Sequence, residues 1–532
     1  MWRDRENWQI PDIRRPGPKT SLADIWYIEE RLLYWGGMAF FTCVSLAIFF
    51  LNTRHGIGIF VDSLRYMGIS EKPFDAPLYA WLLSALTAIG ASPEGGAKLI
   101  GVVLLCANTG IVWHLLARTT GKYLYAAAGT GIIVFSPQFV TLHASAMSEP
   151  LFIFCVMATL LTLLRYSETA DRRWLLGSAI ALAFAALTRF VAPALGVAIA
   201  AFMLIDPRRD LSRRVADVLI FGGISAVIFF AWVIASQITA GHSLGRELSL
   251  NGNMDAEDWF TSFQTLTVWL LPTQVPFSVR TLVFLSALGG GSYLLVWHGR
   301  RAMRARRTTA PVLFLPLVLG FFFLAYVGFM VIATSIEANL SLNSRYAFPV
   351  YVTCVIMLTI MLAVSERARG SYRLVHRALC MLAVVVLASH IVRTIDRTEN
   401  AFDEGIGFAG PGWSQSAAIL AASKLPSDAI IYSNGPEIIT FILNRKARFL
   451  PERYRLRTGK EDPNNPLEHQ VRTLEAAIAG REAYFIFLDG VFWRPYLETE
   501  NNLKERFALE PVALESDGRI YRARELGSRP LP

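Results

Sequence analysis

The sequence predicts a mainly α-helical, polytopic membrane helix bundle of about eleven transmembrane helices, followed by a C-terminal soluble α/β domain. Three observations predict it. Of 532 residues, 53% are hydrophobic and only 17% charged, against about 25% charged in an ordinary soluble protein. The apolar excess comes in blocks of roughly 17–24 residues with no interior charge, the length that spans a bilayer. Near residue 396 the blocks stop and short β-branched and aromatic runs alternate with amphipathic stretches. This pattern excludes a soluble enzyme, a disordered scaffold and a nucleic-acid-binding module.

Expected spans lie at 32–51, 98–117, 123–140, 149–165, 174–188, 190–205, 215–235, 281–297, 311–335, 347–364 and 378–395. Arg189 interrupts an apolar stretch of about 32 residues, which as one helix would be ~48 Å long, so two short helices turning at Arg189 are expected. The net charge of +9 sits mostly in short loops. With the N-terminus cytoplasmic, inner loops hold eighteen Lys and Arg against seven in the outer ones, the bias that orients a bundle. The basic charge is thus a topology signal, and no nucleic-acid partner is expected. Residues 1–31 then form a cytoplasmic segment, with no cleaved signal peptide expected. Residues 32–395 form the membrane domain with outer loops 52–97 and 236–280, and 396–532 form a periplasmic α/β domain. The cell inner (plasma) membrane is the expected location.

All five cysteines (Cys43, Cys106, Cys155, Cys354, Cys380) lie in apolar segments without CxxC spacing, so neither disulfides nor a thiolate metal site is expected. In the tail, the runs 429–434, 484–488 and 519–523 read as strands, and 414–424, 436–444 and 468–479 as helices. About 135 residues suffice for a separate core.

Chemistry is expected at the outer ends of the spans, where the loops are long and carry unusual charges. Asp62 follows the first span, with Tyr66 close behind. The apolar stretch 77–90 is too short to cross and reads as an interfacial helix. Asp62 can cap that region or act as a general base, its pKa raised by partial burial. Glu149, in Ser148-Glu149-Pro150, can favour a helix N-terminal dipole, face Asp62 as a second acid, or hold a divalent cation with it through oxygen ligands. His143 can join such a site or serve as a local hydrogen-bond donor. Arg189 and Arg345 lie at outer helix ends, where charge is costly and defaults to function. Their planar guanidinium groups suit a phosphate, while snorkelling to lipid headgroups is the plain alternative. Tyr346 adjoins Arg345.

In order, Asp62 with Tyr66 and Pro77-Leu78-Tyr79, Ser136-Pro137 with SEPLF (148–152), LTRF (187–190) and SRYAFP (344–349) resemble the GT-C superfamily of membrane glycosyltransferases. The closer resemblance is to the bacterial branch related to protein O-mannosyltransferases and lipid A aminoarabinose transferases. It covers residues 30–395, and YSNGPEIITFILNRKARFLP (432–451) is similar to the outer α/β domain of some members. Ser63 stands where many relatives have a second acidic residue, and Asp75-Ala76-Pro77 where they have His-Pro-Pro. The resemblance implies a polyprenyl-phosphate-linked sugar as donor, and a lipid, glycan or protein acceptor on the extracytoplasmic face. It implies Asp62 as catalytic aspartate and Glu149 as the acidic residue of the second outer loop. The expected chemistry is one inverting displacement, with Arg189 and Arg345 on the donor phosphate and Tyr66, His143 and Tyr346 near substrate. A transporter or flippase for lipid-linked glycans and a polysaccharide polymerase or ligase are the rival expectations.

Overall fold

The computed structural model describes residues 22–69, 75–206, 208–240, 256–304, 314–336, 343–456 and 458–523. The membrane domain runs α1 (Leu22–Asn52), α2 (Val61–Tyr66), α3 (Leu78–Ala88), α4 (Pro93–Thr120), α5 (Tyr123–Val134), α6 (Pro137–His143), α7 (Glu149–Thr169) and α8 (Arg172–Thr188). It continues with α9 (Pro193–Ile205), α10 (Leu211–Ala240), α11 (Ala256–Thr267), α12 (Phe277–Arg304), α13 (Leu315–Ile336), α14 (Ser344–Ser365) and α15 (Ser371–Glu404).

Ten of the eleven expected spans fall on single helices and 123–140 falls across α5 and α6, with 311–313 outside the described residues. Among the described residues eight helices are long and apolar enough to cross a membrane: α1, α4, α7, α10, α12, α13, α14 and α15. A ninth is gained if the bent pair α5 and α6 counts as one span. The pair turns by 61° at Phe135-Ser136-Pro137, because Pro137 has no N–H to donate and disfavours helical backbone at Ser136. The number falls short of eleven at α8 and α9, of 17 and 13 residues. They break at Arg189, as expected, with Arg189 extended (φ −152°, ψ 133°) and Pro193 opening the next helix. The helices turn large apolar side chains outward: Leu219 and Val227 on α10, and Met381, Val384 and Val392 on α15, are each at least 66% exposed. Such faces need lipid, so the chain is a multi-pass membrane protein.

Helix ends follow local chemistry. Ser92 caps α4 by accepting from the Gly95 N–H, and Gly121 ends it in the left-handed region (φ 60°). In the core, Gly101 lets α4 approach the end of α6, for a methyl there would stand 2.6 Å from the His143 carbonyl. As expected, α3 is an apolar helix of 11 residues, too short to span.

Helix α15 runs on past the expected end of the last span to Glu404. The tail holds α16 (Pro411–Ser414), α17 (Ala417–Ala422), β1 (Ile430–Ser433), α18 (Pro436–Leu443), β2 (Ala447–Phe449), α19 (Leu467–Ile478), β3 (Ala483–Leu488), α20 (Glu500–Phe507), β4 (Glu510–Glu515) and β5 (Gly518–Arg522). Its sheet has the order β2-β1-β3-β5-β4, parallel across β2, β1 and β3 and antiparallel at β5 and β4. The three strand runs expected from sequence are β1, β3 and β5. The short edge strand β2 and the mostly exposed β4 lack the apolar signal. A buried pair, Arg494 with Glu437 at 2.6 Å, ties the loop after β3 to α18, and α18 packs against α2 of the membrane domain.

Candidate active site

Four local signals deliver the charged side chains to one place. Phe60 starts the single-turn helix α2, its N–H donating to Ser63 Oγ at 3.0 Å, and puts Asp62 in the first turn. Glu149 is the first residue of α7, whose start is pinned to α4 by Asn108 Nδ2 donating to the Pro150 carbonyl at 2.9 Å. Asn343 caps α14, its Oδ1 accepting from the N–H groups of Arg345 (3.1 Å) and Tyr346 (3.0 Å). The break between α8 and α9 supplies Arg189.

These residues join into an alternating string. Asp75 pairs with Arg65 Nε at 2.6 Å, and Arg65 Nη2 with Asp62 at 2.5 Å. The other Asp62 oxygen pairs with Arg345 Nη1. Arg345 Nε reaches Glu149 Oε1, which also takes Arg189 Nη1 at 2.6 Å. Three carboxylates thus balance three guanidinium groups. Glu149 is wholly buried, and its Oε2 has no hydrogen-bond partner. The Tyr346 ring lies under both cations, 5.2 Å from the Arg189 guanidinium and 5.7 Å from that of Arg345. Tyr66 Oη and Ser148 Oγ lie 3.0 Å apart, tying α2 to the start of α7.

The electrostatics correct one expectation. Burial acts to raise the Asp62 pKa, but Arg345 and Arg65 outweigh it and hold the carboxyl down at about 2. Burial, reinforced by Asp75, Asp62 and Glu149, pushes the Tyr66 phenol up, so it stays protonated and can donate.

Asp62, Glu149, Arg189, Arg345, Tyr66 and Tyr346 are therefore brought together. His143 is not. It is fully buried, with Nδ1 2.8 Å from the Phe139 carbonyl within α6 and Nε2 3.0 Å from Asn108 Nδ2 on α4, so both ring nitrogens are already engaged. Arg65 and Asp75 were missed as site residues; the i, i+3 spacing of Asp62 and Arg65 was the available signal. The Arg345 guanidinium occupies the space between Asp62 and Glu149 that a shared cation would take. Among the described residues no group of three or more His, Cys, Asp or Glu gathers to hold a metal ion. His242 and Arg246, in the outer stretch 236–280, lie outside the described residues.

Residues 71–235 match the dolichyl-phosphate-mannose-protein mannosyltransferase family. No curated protein matches the chain in sequence. Among solved structures, it is similar to ArnT from Cupriavidus metallidurans bound to undecaprenyl phosphate, at 15% identity and TM-score 0.56 over 93% of this chain and 99% of that one. ArnT in the apo state matches at 16% identity and TM-score 0.56 over 96% and 100%. The archaeal oligosaccharyltransferase AglB from Archaeoglobus fulgidus, in complex with an inhibitory peptide and a dolichol-phosphate, matches at 11% identity and TM-score 0.52 over 88% of this chain and 70% of that one. At these identities the likeness is one of fold. The chain has the GT-C fold of the membrane glycosyltransferases that its motifs resemble.

Proposed function

We propose that the protein is an integral-membrane glycosyltransferase that moves a sugar from a polyprenyl-phosphate donor to an acceptor hydroxyl of a lipid, glycan or protein. The reaction takes place at the extracytoplasmic face of the inner membrane, with the N-terminus cytoplasmic and the tail domain periplasmic. The observation that carries this reading is the sharing of Arg345 between Asp62 and Glu149, with Arg189 alongside. It gathers carboxylate and guanidinium groups at the ends of spans, where a lipid-borne phosphate would arrive. The matching family's description, and the undecaprenyl phosphate and dolichol-phosphate in the titles of the similar structures, support a lipid-phosphate donor.

The arrangement suits one inverting displacement. An entering phosphate competes with Glu149 and Asp62 for Arg345 and Arg189. A carboxylate that loses a cationic neighbour becomes more basic, so donor binding lifts Asp62 from its low resting pKa as a base is needed. The acceptor hydroxyl gives its proton to Asp62 while its oxygen bonds to the sugar C1. The bond from C1 to the phosphate oxygen breaks, and the electron pair leaves on the phosphate. Arg189 and Arg345 stabilise that growing charge, the kind of preorganised help that counts most in a water-poor site. The unpartnered Oε2 of Glu149 can accept from a substrate hydroxyl.

The test is purified full-length protein in nanodiscs with radiolabelled polyprenyl-phosphate sugars. The reading predicts free polyprenyl phosphate and label on an acceptor. In proteoliposomes of the same protein, label that crosses the bilayer with its sugar–phosphate bond intact would instead identify a transporter.

A further inference from the structure

The two loops that carry Asp62 and Glu149 meet through backbone bonds at Gly58, and the tail adds a third strand to that pair. Gly58 pairs with the second outer loop, its N–H donating to the Ala144 carbonyl and its carbonyl accepting from the Ala146 N–H, both at 2.8 Å. The next residue, Ile59, pairs on its other side with the first residues of the tail. Its carbonyl accepts from the Phe408 N–H at 2.8 Å and its N–H donates to the Ile406 carbonyl at 3.4 Å. The result is a three-strand clasp, with two parallel bridges, Gly58 to Ser145 and Ile59 to Gly407. Ile59, Ala144, Ala146, Ile406 and Phe408 are all buried. Buried backbone groups left without partners are costly, so Ile59 depends on the tail for its hydrogen bonds. Asp62 lies three residues beyond Ile59, and Glu149 three beyond Ala146.

Gly407 makes this approach possible. Its φ is +61°, and a methyl group there would stand 2.1 Å from the Ile59 carbonyl oxygen. Backbone, unlike a side-chain tip, cannot turn aside. Gly412, five residues on, has open space around it.

We propose that the segment Ile406–Phe408 is a positioning element of the active site: by clamping Ile59 through Gly407 it fixes Asp62 against Glu149, and so couples the tail domain to the transfer step. The proposal rests on the reading of Asp62 and Glu149 as the reacting centre. It makes Gly407 a positioning residue, one that touches neither donor nor acceptor. A loosened clasp leaves Arg189, on the break between α8 and α9, free to meet phosphate, but misplaces the base.

The experiment compares Gly407→Ala with Gly412→Ala in the full-length protein in nanodiscs, by transfer kinetics and by amide hydrogen exchange. For Gly407→Ala the expected result is a kcat at least tenfold lower, with donor KM within about threefold of wild type. Exchange should speed at least tenfold in both 57–62 and 141–149, although Gly407 touches only the first loop. Gly412→Ala should match wild type in every readout. Unchanged protection of 141–149, or an unchanged kcat, overturns the proposal, as does a loss confined to KM. Should Gly407→Ala also lose protection in α4 and β3, it has unfolded. Ile406→Ala then decides by the same readouts, since trimming this buried side chain loosens the tail strand without placing a new atom against either loop. If wild type transfers no sugar, the functional reading is what fails, and the exchange data still decide whether the clasp couples the loops.

Discussion

Replacing Glu149 by Gln separates stability from phosphate binding. Glu149 is fully buried and carries two guanidinium groups on one oxygen, Arg189 at 2.6 Å and Arg345. Removing one partner of a buried ion pair costs ~3–5 kcal/mol. The arginine side chains are 14% and 22% exposed, and Gln keeps an acceptor oxygen, so a loss near ~2–3 kcal/mol is expected, the lower end of that range and below. The six-residue string changes from neutral to a net charge of +1. In wild type an incoming phosphate must displace Glu149 from both cations; in Glu149→Gln only Asp62 still competes, and for Arg345 alone. Polyprenyl phosphate should therefore bind Glu149→Gln about tenfold more tightly, a gain of ~1.4 kcal/mol. The assay is thermal unfolding in nanodiscs at fixed ionic strength, since salt screens such terms, with and without polyprenyl phosphate, plus a direct binding isotherm. Without polyprenyl phosphate the variant should unfold at lower temperature, and adding it should narrow the gap. Weaker phosphate binding in the variant, or unchanged stability in the absence of polyprenyl phosphate, would refute the reasoning.

Three further outcomes follow from the same geometry. Asp62 has its pKa depressed to about 2, so its stabilising ionised form persists above the ordinary carboxylate value and is lost only as pH falls through 2. The kcat/KM profile should then show no acid limb from Asp62 between pH 4 and 6. In Arg65→Gln, which removes one of its two cations, that limb should move up by ~1–3 pH units. Tyr66→Phe deletes the 3.0 Å bond to Ser148, which should cost ~0.5–1.5 kcal/mol and slow transfer less than tenfold, read by melting temperature and initial rate. Arg494→Ala leaves Glu437 buried without its partner. It should destabilise the tail by ~3–5 kcal/mol, seen as faster proteolysis of the tail domain while the helices of the membrane domain stay protected.

The membrane domain was legible because long uncharged runs permit few other structures, and Pro137 and Arg189 mark breaks that any helix there must take. The positions of Asp62, Glu149, Arg189 and Arg345 were legible for a related reason: charge at the edge of a bilayer is expensive and stands out. Their pairing was not. Glu149 and Arg345 are 196 residues apart in sequence, and nothing local says that one guanidinium serves two carboxylates. For that reason the Asp62 pKa was expected to rise and instead falls. His143 shows the converse limit, since its residue type suggests chemistry while the partner that engages its ring, Asn108, sits on a different helix. Arg65 reads as an ordinary loop charge, because its i, i+3 spacing from Asp62 marks a pair only where a helix is known to lie. The clasp is not legible because it consists of backbone bonds, and its trace in sequence is only the glycine-rich turn at 405–412.

The central claim, that Asp62 takes the proton of the attacking hydroxyl, is tested most directly by single-turnover transfer from a radiolabelled polyprenyl-phosphate sugar with Asp62→Asn. The substitution keeps the shape and removes the basicity. A positioned base is worth about 10²–10⁴ in rate, so the account predicts a loss of that size with polyprenyl phosphate still bound. Transfer by Asp62→Asn within a few-fold of wild type would contradict it.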